Sequence, residues 1–154
     1  MARVLGTALI VVLGWAAAGC EPSGGSPSQQ RATMSDSALQ VSLTTDKFHY
    51  ASGEPIAITL TVANRAPPPI TLGFTSGQRY DFAIEDAAGK TLWRWAADKG
   101  FIQVLGEETL EAGGKLVYQE RFTERLGPGT YRIIGRLVAS DRPLSAAVTV
   151  TVGG

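Results

Sequence analysis

Beyond residue 38, apolar and polar positions alternate with a period of two. Leu39, Val41 and Leu43 alternate with Gln40, Ser42 and Thr44. Ile56, Ile58, Leu60 and Val62 alternate with Ala57, Thr59 and Thr61, and Leu144, Ala146, Val148, Val150 and Val152 with Ser145, Thr149 and Thr151. Successive side chains of a strand point to opposite faces, so this pattern predicts strands with one face in a core and the other in water. Further strands are expected at Ile70 to Phe74, Tyr80 to Ile84, the segment around Trp93, Thr109-Leu110, Leu116 to Phe122 and Tyr131 to Val138. Between them stand Ser52-Gly53-Glu54-Pro55, Asn64 to Pro69, Ala112-Gly113-Gly114 and Gly127-Pro128-Gly129, residue types that turn the chain. No helical period follows the first twenty residues. About eight or nine short strands at this spacing predict an all-β chain, an antiparallel immunoglobulin-like β-sandwich.

Two of the three tryptophans fall in one predicted hairpin, Tyr80 to Trp95, and its closure decides where they point. Gly89 in the left-handed conformation after a type I turn would pair Asp86 with Lys90, set Ile84 opposite Leu92 and Phe82 opposite Arg94, and turn Trp93 and Trp95 away from the core. A two-residue loop at Ala87-Ala88 would instead pair Phe82 with Trp93 and Tyr80 with Trp95 in one aromatic stack. Alanine adopts the positive backbone angles of that tight loop poorly, so the first register is preferred, although it brings Arg94 to the core side. The triple proline at Pro67 to Pro69 cannot donate ladder hydrogen bonds and is expected in a loop or at an edge, as a stiff corner or as an exposed polyproline ligand.

The first nineteen residues are set apart from this pattern. A basic Arg3, an apolar run from Val4 to Ala18 and the ending Ala17-Ala18-Gly19-Cys20 resemble a bacterial lipoprotein signal, too short for a comfortable membrane span. On this reading residues 1–19 are removed and Cys20, the sole cysteine, becomes a lipidated first residue that holds the protein to the membrane. The expected location is the bacterial cell envelope, as an exported, membrane-anchored lipoprotein. Residues 20–37 are mostly Pro, Ser, Gly and Gln and are expected to be a disordered tether, and residues 38–154 one domain. With its one thiol lipidated, the domain has no disulfide and must be held by its core.

The 14 basic and 14 acidic residues balance, with no run of either sign, which argues against nucleic acid as a partner. His49 is the only histidine, so neither a zinc site nor a Ser/His/Asp triad can be argued from it. Gly89-Lys90-Thr91 is similar to the end of a phosphate-binding loop, but Ile84 stands where an earlier glycine is required. Glu107-Glu108 reads as a solvated pair rather than an acid/base couple. The chemistry points away from an enzyme, and no cofactor or metal is implied.

Phe74-Thr75-Ser76-Gly77-Gln78-Arg79-Tyr80-Asp81-Phe82, Asp86 with Gly89, Trp93-Arg94-Trp95, and then Phe101 and Gln103 resemble the core motif of BsuPI-type intracellular proteinase inhibitor domains. The resemblance runs from about residue 39 to about residue 125 and rests on aromatics at fixed spacings. It implies the same sandwich and, as a function, inhibition of a subtilisin-like serine protease. Arg79, Trp93, Trp95, Phe101, Gln103 and Leu126 are the candidate partner-binding residues, because aromatic and arginine side chains dominate binding hot spots. Either Lys99 to Leu105 or Thr123 to Gly129 would offer a convex loop with a large apolar residue, neither braced by a disulfide. The alternative is a cell-envelope lipoprotein module that uses the same β-sandwich for a protein or glycan partner without inhibition.

Overall fold

The computed structural model describes residues 31–35 and 38–154. The expected signal, Cys20 and most of the expected tether lie outside the described residues.

Eleven strands are present among the described residues: β1 (Arg31–Ser35), β2 (Leu39–Thr45), β3 (His49–Ala51), β4 (Ile56–Asn64), β5 (Ile70–Phe74), β6 (Tyr80–Glu85), β7 (Thr91–Arg94), β8 (Gly106–Leu110), β9 (Lys115–Phe122), β10 (Gly129–Leu137) and β11 (Leu144–Gly153). One sheet has the order β1-β2-β4-β9, the facing sheet β3-β11-β10-β6-β7, and β5 pairs with β8 as a separate ribbon. This is the expected all-β immunoglobulin-like sandwich. The alternating residues do what their period requires. Val41, Leu43, Ile58, Leu60 and Val62 from the first sheet meet Phe82, Ile84, Ile133, Val148 and Val150 from the second in one buried core. Each large side chain so buried contributes about 1.5–3 kcal/mol. Gly135, opposite Phe82, leaves room for the facing sheet, since an added Cβ would lie 2.7 Å from Leu43 Cδ1 and 2.9 Å from Leu60 Cδ1.

Two strands exceed the expected eight or nine. β1 occupies residues assigned to the tether and pairs antiparallel with β2, Arg31 opposite Thr44 through Ser35 opposite Gln40. Residues 31–35 therefore join the first sheet. A strand at a sheet edge is held by backbone hydrogen bonds and needs no large apolar side chain, so composition could not reveal it. The short β3 pairs parallel with β11, an exception to the antiparallel rule, and its His49 Nδ1 meets Thr151 Oγ1.

The β6–β7 hairpin closes as expected and then departs from its expected register. Gly89 has φ 82°, the Asp86 amide donates to Lys90 O at 3.0 Å, and Asp86 Oδ1 accepts from the amides of Ala88 and Lys90. Glu85 faces Thr91, but Ile84 faces Trp93 and Ala83 faces Arg94, so a bulge at Leu92 shifts everything beyond it by one residue. Trp93 and Trp95 consequently point to the core side, contrary to the expectation, while Leu92 is left 43% exposed. The exchange has a physical reason. It shelters two indoles at the cost of one leucine, and it takes the Arg94 guanidinium out of the core to Asp81, at 2.5 Å.

Asn64 organises the opposite corner. Its buried side chain donates to Pro68 O at 2.8 Å and Leu110 O at 3.0 Å and accepts from the Ala66 amide at 2.9 Å. Pro67, Pro68 and Pro69 are exposed in the loop after β4, the stiff corner that the missing amides required.

Candidate functional site

β7 and β9 are the edge strands on the same open side of the sandwich, and a column of rings fills the space between them. Tyr80, the first residue of β6, stacks on Tyr118 of β9 with centroids 4.5 Å apart and on Trp95 with centroids 4.4 Å apart. Phe101 leans on Trp95 at 5.9 Å, Lys99 Nζ lies 4.8 Å over the Trp95 ring, and Trp93 meets the edge of Phe122 at 5.2 Å. The Tyr80 hydroxyl donates to Glu120 Oε1 at 2.7 Å. Burial pushes the Tyr80 phenol up, and the bond to the Glu120 carboxylate adds to this. Burial likewise pushes Tyr118 up to about 12, helped by the negative charge of Glu108. Its hydroxyl is buried without a hydrogen-bond partner of good geometry among the described residues.

Against this column lies the loop between β7 and β8, residues 95–105, fixed at three places. At its start, Asp81 Oδ1 accepts from the Ala96 amide at 3.2 Å while Oδ2 holds Arg94; the carboxylate itself is 0% exposed. Turns close from Ala97 N to Arg94 O and from Lys99 N to Ala96 O. In its middle, Ile102 O accepts from the Gly77 amide at 2.8 Å and from the Val104 amide at 3.1 Å, which makes a tight turn centred on Gln103. At its end, Gly106 enters the ladder opposite Phe74. Arg79 ties these parts together. Its Nε donates to Glu108 Oε1 and its Nη1 to Ser76 O, both at 2.6 Å, and its guanidinium lies 4.3 Å from the Phe74 ring centroid. A Cβ at Gly106 would lie 2.7 Å from Arg79 Nη2, so a side chain there would push the guanidinium aside.

Between these fixed points the loop holds out apolar side chains. Leu105 is 82% exposed, Ile102 77% and Val104 54%. They are three of the five exposed large hydrophobic residues among the described residues, the others being Leu92 and Val117, so the exposure is concentrated and not scattered.

The candidate residues therefore divide. Arg79, Trp93, Trp95 and Phe101 come together at this end of the sandwich, but as half-buried support, and Gln103 sits exposed at the turn with its Nε2 donating to Phe101 O. Leu126 is turned into the core, with its carbonyl accepting from Ser52 Oγ, so the loop from Thr123 to Gly129 offers no large apolar tip. Ile102, Val104 and Leu105 are not among the residues singled out from sequence, because aliphatic residues are as common in cores as on binding surfaces. The available signal is Phe101-Ile102-Gln103-Val104-Leu105, set between Gly100 and Gly106, which puts four large apolar residues in five positions without alternation. No group of three or more His, Cys, Asp or Glu side chains suited to a metal occurs among the described residues.

A sequence profile of the BsuPI family, described as intracellular proteinase inhibitor, matches residues 43–142, well over half of the chain. No curated protein sequence matches. Among solved structures, the sporulation control protein Spo0M from Bacillus subtilis superposes with a TM-score of 0.50 at 16% identity, over 77% of this chain and 51% of that one. The C-terminal domain of wzt superposes with a TM-score of 0.50 at 10% identity, over 84% of this chain and 80% of that one. The chain thus spans about half the length of Spo0M. At these identities the likeness is one of fold.

Proposed function

This chain belongs to the BsuPI intracellular proteinase inhibitor family, and we propose that it inhibits a serine endoproteinase of the subtilisin type by docking the loop of residues 95–105. The observation that carries this reading is the pairing of exposed Ile102, Val104 and Leu105 with a backbone already held by Gly77, Asp81 and the β5–β8 ladder. A loop that is ordered before binding loses little further entropy on docking, and apolar side chains held in water gain most when a partner covers them. Arg79 and the ring column hold the loop's backbone in place before any partner arrives. A glycan is the weaker partner. A sugar needs an open aromatic face, and Trp95 is stacked on Tyr80 and overlain by Lys99.

We also place this activity on the exported side of a membrane. Arg3, the apolar run from Val4 to Ala18 and Cys20 support lipid anchoring, so the target would be an extracytoplasmic proteinase. The test is inhibition of a panel of subtilisin-like and chymotrypsin-like proteinases by the full-length chain in detergent micelles. Stoichiometric inhibition of at least one subtilisin-like enzyme is expected. Ile102→Ser combined with Val104→Ser should weaken it by about tenfold or more, a loss of about 1.4 kcal/mol. No inhibition of any member at micromolar concentration would refute the reading.

A further inference from the structure

On the proteinase reading above, we propose that the loop enters the target's active-site cleft as a substrate does, with Leu105 in the pocket before the scissile bond and Leu105–Gly106 as the bond presented to the catalytic serine. Three observations converge on this bond. Leu105 is the most exposed large apolar residue among the described residues, and Ile102, three positions upstream, is second at 77%. The residue after the bond is glycine, which brings no side chain of its own for the target's cleft to accommodate.

The third observation is how the two sides of the bond are held. On the amino-terminal side, Ile102 O is bound to the Gly77 amide; on the carboxy-terminal side, Gly106 is paired with Phe74. Both tethers end within the four residues from Phe74 to Gly77. Arg79 clamps that stretch from behind, through Ser76 O on one side and Glu108 on the other. Cutting the loop would leave its ends together.

That geometry distinguishes an inhibitor from a substrate. In the first step the serine hydroxyl adds to the Leu105 carbonyl and the C–N bond breaks. The Gly106 amine departs with a proton from the enzyme's general base, leaving Leu105 as an acyl ester. In an ordinary substrate the amine diffuses away and water hydrolyses the ester to a Leu105 carboxylate, restoring the serine. Here the Phe74 pairing keeps the amine beside the ester at a high effective concentration, so it re-forms the peptide faster than water reacts. The target is occupied and turns over slowly.

The decisive experiment uses the full-length chain in detergent micelles with a subtilisin-like proteinase that the wild type inhibits, and with trypsin. Leu105→Arg should weaken inhibition of the subtilisin-like enzyme at least 100-fold and create inhibition of trypsin. An unchanged thermal midpoint is expected, because the side chain is exposed. Prolonged incubation of the wild type should give a single slow cut between Leu105 and Gly106, read by intact mass. Arg79→Gln should speed that cut at least tenfold while keeping its position, because the clamp behind Phe74 to Gly77 is gone. If Leu105→Arg leaves subtilisin-type inhibition within about threefold of wild type, the inhibitor reading stands and the placement at Leu105 falls. A cut elsewhere overturns the assignment of the bond. Failure of Arg79→Gln to accelerate cleavage overturns the tethering argument, and a wild type that inhibits no subtilisin-like enzyme removes both readings.

Discussion

Replacing Trp95 with alanine separates the support behind the loop from the surface in front of it. The indole is half-buried, stacked on Tyr80 at 4.4 Å, touched by Phe101 and overlain by Lys99. A half-buried indole removes roughly 100–150 Å² of apolar surface from water, which at about 25 cal/mol per Å² amounts to roughly 2.5–4 kcal/mol. The stack with Tyr80 adds about 0.5–1.5 kcal/mol. The site opens to solvent at its rim, so water and the Lys99 side chain refill part of the space, which trims the loss. The backbone bond from Trp95 N to Phe82 O survives the substitution. We expect Trp95→Ala to cost about 2.5–4 kcal/mol, against a typical total of about 5–15 kcal/mol, leaving a folded but weakened domain. Equilibrium urea unfolding with an unchanged slope measures it, with Leu105→Ala as the control expected within about 0.5 kcal/mol of wild type. A loss below about 1.5 kcal/mol for Trp95→Ala would show that the ring column is not part of the core. An equal loss for Leu105→Ala would show that the loop residue is not free.

Asn64→Ala should cost about 2–4 kcal/mol in the same assay, because it leaves the carbonyls of Pro68 and Leu110 and the amide of Ala66 without their partner in a buried corner. Stability should also fall in alkali. Burial raises Tyr50 and Tyr118 to about 12 and moves Tyr80 in the same direction, so the folded state favours the neutral phenols. That contribution is complete below the ordinary tyrosine value of about 10 and is lost as pH rises from there through about 12. Tyrosinate absorbance during an alkaline titration should show these three phenols ionising late and together with unfolding, and early ionisation of Tyr80 and Tyr118 would contradict the packing described for the column. Cys20→Ala should convert a detergent-phase protein into one that is uncleaved or released, and a wild type that partitions as a soluble protein would remove the lipid anchor.

The sandwich was legible in the sequence because its cause is local. Leu39 to Leu43, Ile56 to Val62 and Leu144 to Val152 each repeat every second residue, and no other backbone puts such residues on one face. The turn at Gly89 was legible for the same reason, since only glycine takes its left-handed conformation freely. The exposed apolar edge lies within the region that the sequence singled out, the aromatic stretch and the loop after it. Arg79, Trp95 and Phe101 have the composition of a hot spot and are half-buried, while the exposed apolar edge belongs to Ile102, Val104 and Leu105.

Sequence alone determined what depends on neighbours in the chain: the strands of strong alternation, the turns, the proline corner after β4 and the class of fold. Only the tertiary structure decided what depends on neighbours in space. The bulge at Leu92 arises because Phe122 and Tyr80 offer shelter to two indoles and Asp81 offers a partner to Arg94, and those residues lie on other strands or across the hairpin. β1 exists because the edge of β2 is there to receive its backbone. Leu126 is buried because the core reaches its loop, and Leu105 is exposed because Gly77 and Phe74 hold the chain on either side of it. Whether an apolar residue is covered is settled by which surfaces meet, and a linear pattern records only which faces are able to.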